Sequence, residues 1–93
     1  MIQSIADSRT RQVWERQRPK GFPTDLVRPA QRKLAMLDAA ENINDLRVPP
    51  GNRLERLSGN RAGQHSIRIN DQWRVCFRWT KAGPEEVEIV DYH

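Results

Sequence analysis

Trp73-Arg74-Val75-Cys76-Phe77-Arg78-Trp79 places a large apolar side chain at every second position. A period of two belongs to a half-buried strand, whose alternate residues leave opposite faces of a sheet. Trp73, Val75, Phe77 and Trp79 therefore form a core face, and Arg74, Cys76 and Arg78 point the other way. Upstream, Asn70-Asp71 is hairpin-turn chemistry, because both residues tolerate positive φ. It closes a strand from Gln64 to Ile69 that puts Ile67 and Ile69 on the core face and Arg68 on the outer one. Leu54 to Leu57 adds a short strand ahead of a Ser58-Gly59-Asn60 turn, and downstream Lys81-Ala82-Gly83-Pro84 turns the chain into a last strand, Glu86 to Tyr92. There Val87 and Ile89 suit the core, while Glu88, Val90 and Tyr92 share the outer face with the arginines.

The amino-terminal half has a different period. Met1 to Ile5 is a short strand, after which Asp7 or Ser8 can cap a helix carrying Thr10, Val13 and Trp14 on one stripe. Arg18-Pro19-Lys20-Gly21-Phe22-Pro23 breaks that helix. Ala30, Leu34, Leu37 and Ala40 recur at three and four and mark a second helix. It either begins near Pro29 or bends there, because an interior proline deletes a hydrogen bond to the carbonyl four residues back. Val48-Pro49-Pro50-Gly51-Asn52 ends the helical region. The expected fold is α+β, in the order β-α-α-β-β-β, with a helical hairpin packed on one face of an antiparallel sheet. Residues 1–93 make one domain, as expected for a chain of 93 residues.

Hydrophobic residues are 37% of the chain and charged ones 30%, with no apolar run near the length a membrane span needs. The absence of a basic-then-apolar start points to the cytoplasm. One cysteine, Cys76, excludes an internal disulfide, and two separated histidines give no basis for a metal site. From Arg47 to Thr80 seven arginines stand against Glu55 and Asp71 alone, and arginine outnumbers lysine 13 to 3 overall. Guanidinium grips phosphate through a planar fork, so an arginine-loaded segment points to nucleic acid. On the outer face Arg68, Arg74 and Arg78 fall near one another, with Glu88 the one acid that parity places among them. Like charges facing one another across strands cost stability, so such a face expects an anion. Cys76 is read as inert packing, His65 as a rim or core histidine, and the tryptophans as core.

Pro49-Pro50-Gly51-Asn52-Arg53-Leu54-Glu55, the run Gly59 to Val75 and the ending Val87-Glu88-Ile89-Val90-Asp91-Tyr92-His93 resemble the HigB toxins of the RelE/ParE superfamily. The likeness covers essentially the whole chain. It implies a compact toxin that enters the ribosomal A site and cuts mRNA without a cofactor or metal. It also implies a helix-turn-helix antitoxin that neutralises the toxin and binds operator DNA. The family's strand arginine falls on Arg74, and its terminal acid, aromatic and imidazole fall on Asp91, Tyr92 and His93. Where some members carry His and Lys on the short strand, this chain has Glu55 and Ser58, so Arg53, Arg56 or Arg61 would have to replace the missing cation.

Such cleavage needs a base for the 2′-hydroxyl, a cation at the phosphate and an acid for the leaving oxygen. His93 suits proton transfer because an imidazole titrates near neutrality. Asp91 orients it or takes a proton itself, and Tyr92 offers a plate on which a base can stack. Arg74 neutralises developing charge, and Arg53, Arg56, Arg61, Arg68 and Arg78 hold the RNA backbone. Two other readings stay open: a ParE-like toxin that inhibits DNA gyrase, and a non-catalytic RNA- or ribosome-binding module.

Overall fold

The computed structural model describes residues 1–92, so the His93 assignment lies outside the described residues. Two helices, α1 (Ser8–Trp14) and α2 (Val27–Ala39), precede four strands: β1 (Glu55–Arg56), β2 (His65–Arg68), β3 (Trp73–Thr80) and β4 (Gly83–Asp91). The strands form one antiparallel sheet in sequence order. The helices cover the face expected for them. Val13, Leu26, Ala30, Leu34 and Leu37 meet Ile67, Val75, Phe77, Val87 and Ile89 in a single cluster. Burying each large aliphatic side chain of this kind contributes about 1.5–3 kcal/mol. Among the described residues, no helix is long and apolar enough to cross a membrane.

Several boundaries differ from the sequence reading, each for a physical reason. The expected strand at Met1–Ile5 is a single parallel bridge between Ile5 and Val87. Gln3 and Ala6 donate to the Pro84 and Val87 carbonyls at 2.7 and 2.9 Å, after which the chain turns into α1. There α1 takes over the edge of β4. Thr10 Oγ1 accepts from the Ile89 amide at 2.9 Å, and Arg9 Nη2 donates to the Ile89 carbonyl at 3.0 Å. An open strand edge is thereby covered without a full partner strand.

Pro29 sits in the first turn of α2, which starts at Val27 after a 3₁₀ turn over Thr24–Leu26. A proline is tolerated there because the first amides of a helix have no intrahelical acceptor. The β2–β3 hairpin does not use positive φ at Asn70 or Asp71. Instead Asn70 Oδ1 accepts from the Gln72 and Trp73 amides, both at 2.9 Å. β4 begins at Gly83 rather than Glu86 and carries a bulge, since Cys76 pairs with Glu88 but Arg78 with Glu85. The extra residue is absorbed at Glu86, whose φ is 52°.

Gly83 is a point of close approach. Its φ is 128°, and a Cβ there would stand 2.3 Å from the Met1 carbonyl oxygen. Both the conformation and the contact require glycine. Gly83→Ala should cost about 1–3 kcal/mol, the range for a residue forced into such a region. It should also speed hydrogen exchange at the Gln3 and Ala6 amides, because the amino-terminal segment must lift away. Unchanged thermal unfolding and unchanged exchange at both amides would count against this packing.

Candidate active site

The face of the sheet away from the helices is not the open arginine rib that parity suggests. Arg74 retains only 9% of its surface, and Ser66 and Cys76 beside it retain none. All three share a face, since Ser66 pairs with Cys76 and Arg68 with Arg74 across β2 and β3. The Arg74 side chain lies across β2 towards β1. Its Nε donates to Ser66 Oγ at 2.7 Å, and Nη2 donates to the Arg53 carbonyl at 2.6 Å and to the Ser66 carbonyl at 3.4 Å. Glu55 Oε2 lies 3.9 Å from Nη2. Among the described residues Nη1 makes no protein hydrogen bond and is not one of the buried nitrogens without a partner.

The loop before β1 supplies the carbonyl that Arg74 needs. Pro50–Asn52 forms a 3₁₀ turn, and Arg53 follows it in the left-handed conformation at φ 44° and ψ 59°. Asn52 is fully buried and fixes the turn, donating from Nδ2 to the Leu46 carbonyl at 3.1 Å and accepting at Oδ1 from Lys33 Nζ. The Lys33 ammonium is partly stripped of water and lies near Arg32 and Arg68, and these effects, in that order, lower its pKa.

Besides Glu88, which parity places on this face, three further acids pair with the arginines. Arg61 pairs with Glu88 at 3.1 Å, Arg68 with Asp71, Arg74 with Glu55 and Arg78 with Glu86 at 3.4 Å. Asp71, Glu55 and Glu86 come from places a strand pattern does not reach: the hairpin turn, the two-residue edge strand and the bulge. The expectation of a face short of carboxylates is therefore corrected. Partly exposed pairs of this sort contribute little, about 0–1 kcal/mol each, so a phosphate can displace their carboxylates. Arg53 and Arg56 are exposed, while Arg61, Arg68 and Arg78 are half-buried. The guanidinium of Arg78 lies over Gly63, where a Cβ would meet its Nη1 at 2.7 Å.

Asp91 and Tyr92 sit at the end of β4. Val90 pairs with Arg74, so Tyr92 is the next residue on that face, a diagonal neighbour at the roughly 7–8 Å spacing of such pairs. Tyr92 is 40% exposed, and its amide donates to the Gln72 carbonyl at 2.6 Å. Asp91 pairs with Trp73 and accepts from Gln72 Nε2 at 3.1 Å. Arg74 and Tyr92 thus share a face, although the Arg74 guanidinium turns towards β1. Arg78 lies four residues along β3, about 13 Å from Arg74 at strand spacing.

Two contributors had no signal in the sequence. One is Ser66, a small residue at an outer-face position. The other is Arg9, whose guanidinium lies 5.3 Å from the Trp73 ring centroid and 5.7 Å from that of Phe22. It ties α1 to β4 two residues before Asp91. Cys76 behaves as packing, as expected. Its burial raises the thiol pKa, with Glu88 adding to the effect, and the pull of Arg61 and Arg74 does not reverse it. His65 stacks on Phe77 with centroids 6.2 Å apart, and burial together with Arg56 lowers its pKa.

Comparison with known proteins bears on this geometry. Residues 3–93 match a family described as the RelE-like toxin of type II toxin-antitoxin system HigB. The protein named Toxin HigB-1 from Vibrio cholerae serotype O1 is 50% identical over 58 residues, which are 62% of this chain and 61% of that relative. An uncharacterized protein of Haemophilus influenzae is 46% identical over 58 residues, 62% of this chain and 57% of its own. Endoribonuclease HigB of Proteus vulgaris is 27% identical over 93 residues, the full length of both chains. The matched segment thus spans about three fifths of the first two relatives.

Proposed function

The chain belongs to the HigB-like family of RelE-like toxins of type II toxin–antitoxin systems, and from that premise we propose that it is a ribosome-dependent endoribonuclease that cuts mRNA in the A site. In this reading the protein acts in the cytoplasm and is held inactive by a helix-turn-helix antitoxin encoded with it. That antitoxin links it to operator DNA. The full-length likeness to a protein named Endoribonuclease HigB supports the activity. The observation that carries it is Arg74. A cation whose Nε and Nη2 are tied to the protein has one remaining nitrogen, Nη1, to offer a phosphate.

The chemistry is transfer within the RNA. The 2′-oxygen attacks the adjacent phosphorus as a base removes its proton, and the bond from phosphorus to the 5′-oxygen breaks as an acid protonates that oxygen. The products are a 2′,3′-cyclic phosphate and a 5′-hydroxyl. Arg74 faces the phosphate as charge builds on its non-bridging oxygens. Asp91 and His93 supply the base and the acid between them, and Tyr92 holds a splayed base by stacking. Arg53, Arg56, Arg61, Arg68 and Arg78 hold the RNA backbone, giving up their carboxylates as they do so. The ribosome contributes by presenting mRNA in an attack-ready geometry, an effect able to supply several kcal/mol of the barrier.

The test uses translating ribosomes carrying a defined mRNA. The intact protein should yield discrete cuts within A-site codons, and removal of Tyr92 and His93 should lower that rate by at least about 100-fold, since it takes away a proton-transfer group. Uncut mRNA together with accumulated gyrase–DNA breaks would replace this reading with gyrase inhibition. Ribosome binding without cleavage would leave an RNA-binding module.

A further inference from the structure

The Arg74 guanidinium is held in one rotation by the Ser66 hydroxyl on Nε and by two carbonyls, those of Arg53 and Ser66, on Nη2. We infer that Ser66 is the positioning residue of Arg74: its hydroxyl fixes the guanidinium plane so that Nη1 faces the phosphate. The inference rests on the proposed role of Arg74 in cleavage. Ser66 is fully buried, and its backbone is locked between Cys76 on β3 and Glu55 on β1. The hydroxyl oxygen accepts from Nε at 2.7 Å, while the Arg53 carbonyl accepts from Nη2 at 2.6 Å. A guanidinium is planar, so two bonds made along two different N–H directions determine where the third nitrogen points. Without the hydroxyl, both contacts that remain fall on Nη2, and the group can pivot about that nitrogen.

The position also requires a small side chain. Arg74 crosses β2 above Ser66 to reach Arg53, and that path passes over a residue with no exposed surface. Alanine would fit but would leave the Nε–H facing an empty site, a state that buried donors avoid. Serine is the smallest side chain that leaves the path open and supplies an acceptor. The Arg53 and Ser66 carbonyls do not make up the loss, because both sit against Nη2 and neither accepts from Nε.

Purified full-length Ser66→Ala, assayed on translating ribosomes with a defined mRNA, should lose about 10-fold in kcat. That is the scale on which an orienting partner behind a reactive group acts. KM should stay unchanged, because the arginines that hold the RNA backbone are intact. Ser66→Thr keeps the hydroxyl and should recover most of the rate. A purely structural serine would instead lower the thermal midpoint and the active fraction, with kcat per active molecule unchanged. That result overturns the inference. The double variant Ser66→Ala/Arg74→Ala settles the matter even where threonine does not fold: a rate equal to that of Arg74→Ala supports positioning, and losses that multiply independently refute it. If Arg74→Ala is inactive while Ser66→Ala is fully active, the positioning role alone is wrong. If Arg74→Ala is fully active, the proposed role of Arg74 itself has failed.

Discussion

Arg74→Ala should cut mRNA on translating ribosomes about 10²–10³ times more slowly than the parent protein, the usual loss when one well-placed charge donor is removed. The fold should survive the change. Arg74 faces Arg68 directly across two strands, so its removal relieves a like-charge pair, which partly offsets the loss of its bonds to Ser66 and Arg53. Thermal unfolding of the variant is the control that separates lost chemistry from lost structure. Arg74→Lys should recover little. An ammonium on a flexible stem cannot hold the Ser66 hydroxyl and the Arg53 carbonyl while directing a third nitrogen outward. Full cleavage by a folded Arg74→Ala protein would show that the reaction does not use this cation.

The largest loss of stability should follow Phe77→Ala. Phe77 is the bulkiest fully buried side chain among the described residues. It lies in β3 where three features meet: His65 on β2 opposite it, the α2 leucines in the cluster beneath, and the β4 bulge beside it. Truncation removes its transfer free energy and leaves a cavity that a strand paired on both sides cannot close, for a cost of about 3–5 kcal/mol. A domain of this size has roughly 5–15 kcal/mol in all. The urea midpoint should therefore fall by a large fraction of its value, with the slope of the transition unchanged. Trp79→Ala should cost less, because Trp79 is only half-buried near the end of the same strand. A loss under about 1 kcal/mol for Phe77→Ala would mean that the core relaxes far more than its packing implies.

Much of this was legible beforehand because strand and helix periods are local properties. The alternation through Trp73–Trp79 places Val75 and Phe77 in the core, and the spacing of Ala30, Leu34 and Leu37 gives the buried stripe of α2. Such patterns survive folding because burial rewards whichever face is apolar. The amino-terminal segment departs from its local pattern for the opposite reason. Whether Met1–Ile5 becomes a strand depends on how much of β4 it can reach before α1 begins, and α1 itself completes that edge through Arg9 and Thr10.

The chain alone determined that Arg74, Cys76 and Arg78 would leave the sheet on the side away from the helices, because side chains in a strand must alternate. Its arginine excess likewise gave the segment from Arg47 to Thr80 a surplus of cations. Only the tertiary structure decided that Arg74 would be nearly covered, with Nε on Ser66 and Nη2 on a carbonyl of the loop before β1. It alone also decided that Asp71, Glu55 and Glu86 would pair with arginines, each from a turn, an edge or a bulge. A local period fixes which face a side chain leaves from. Where a long guanidinium comes to rest depends on partners brought near by contacts distant in sequence, and no local pattern encodes those.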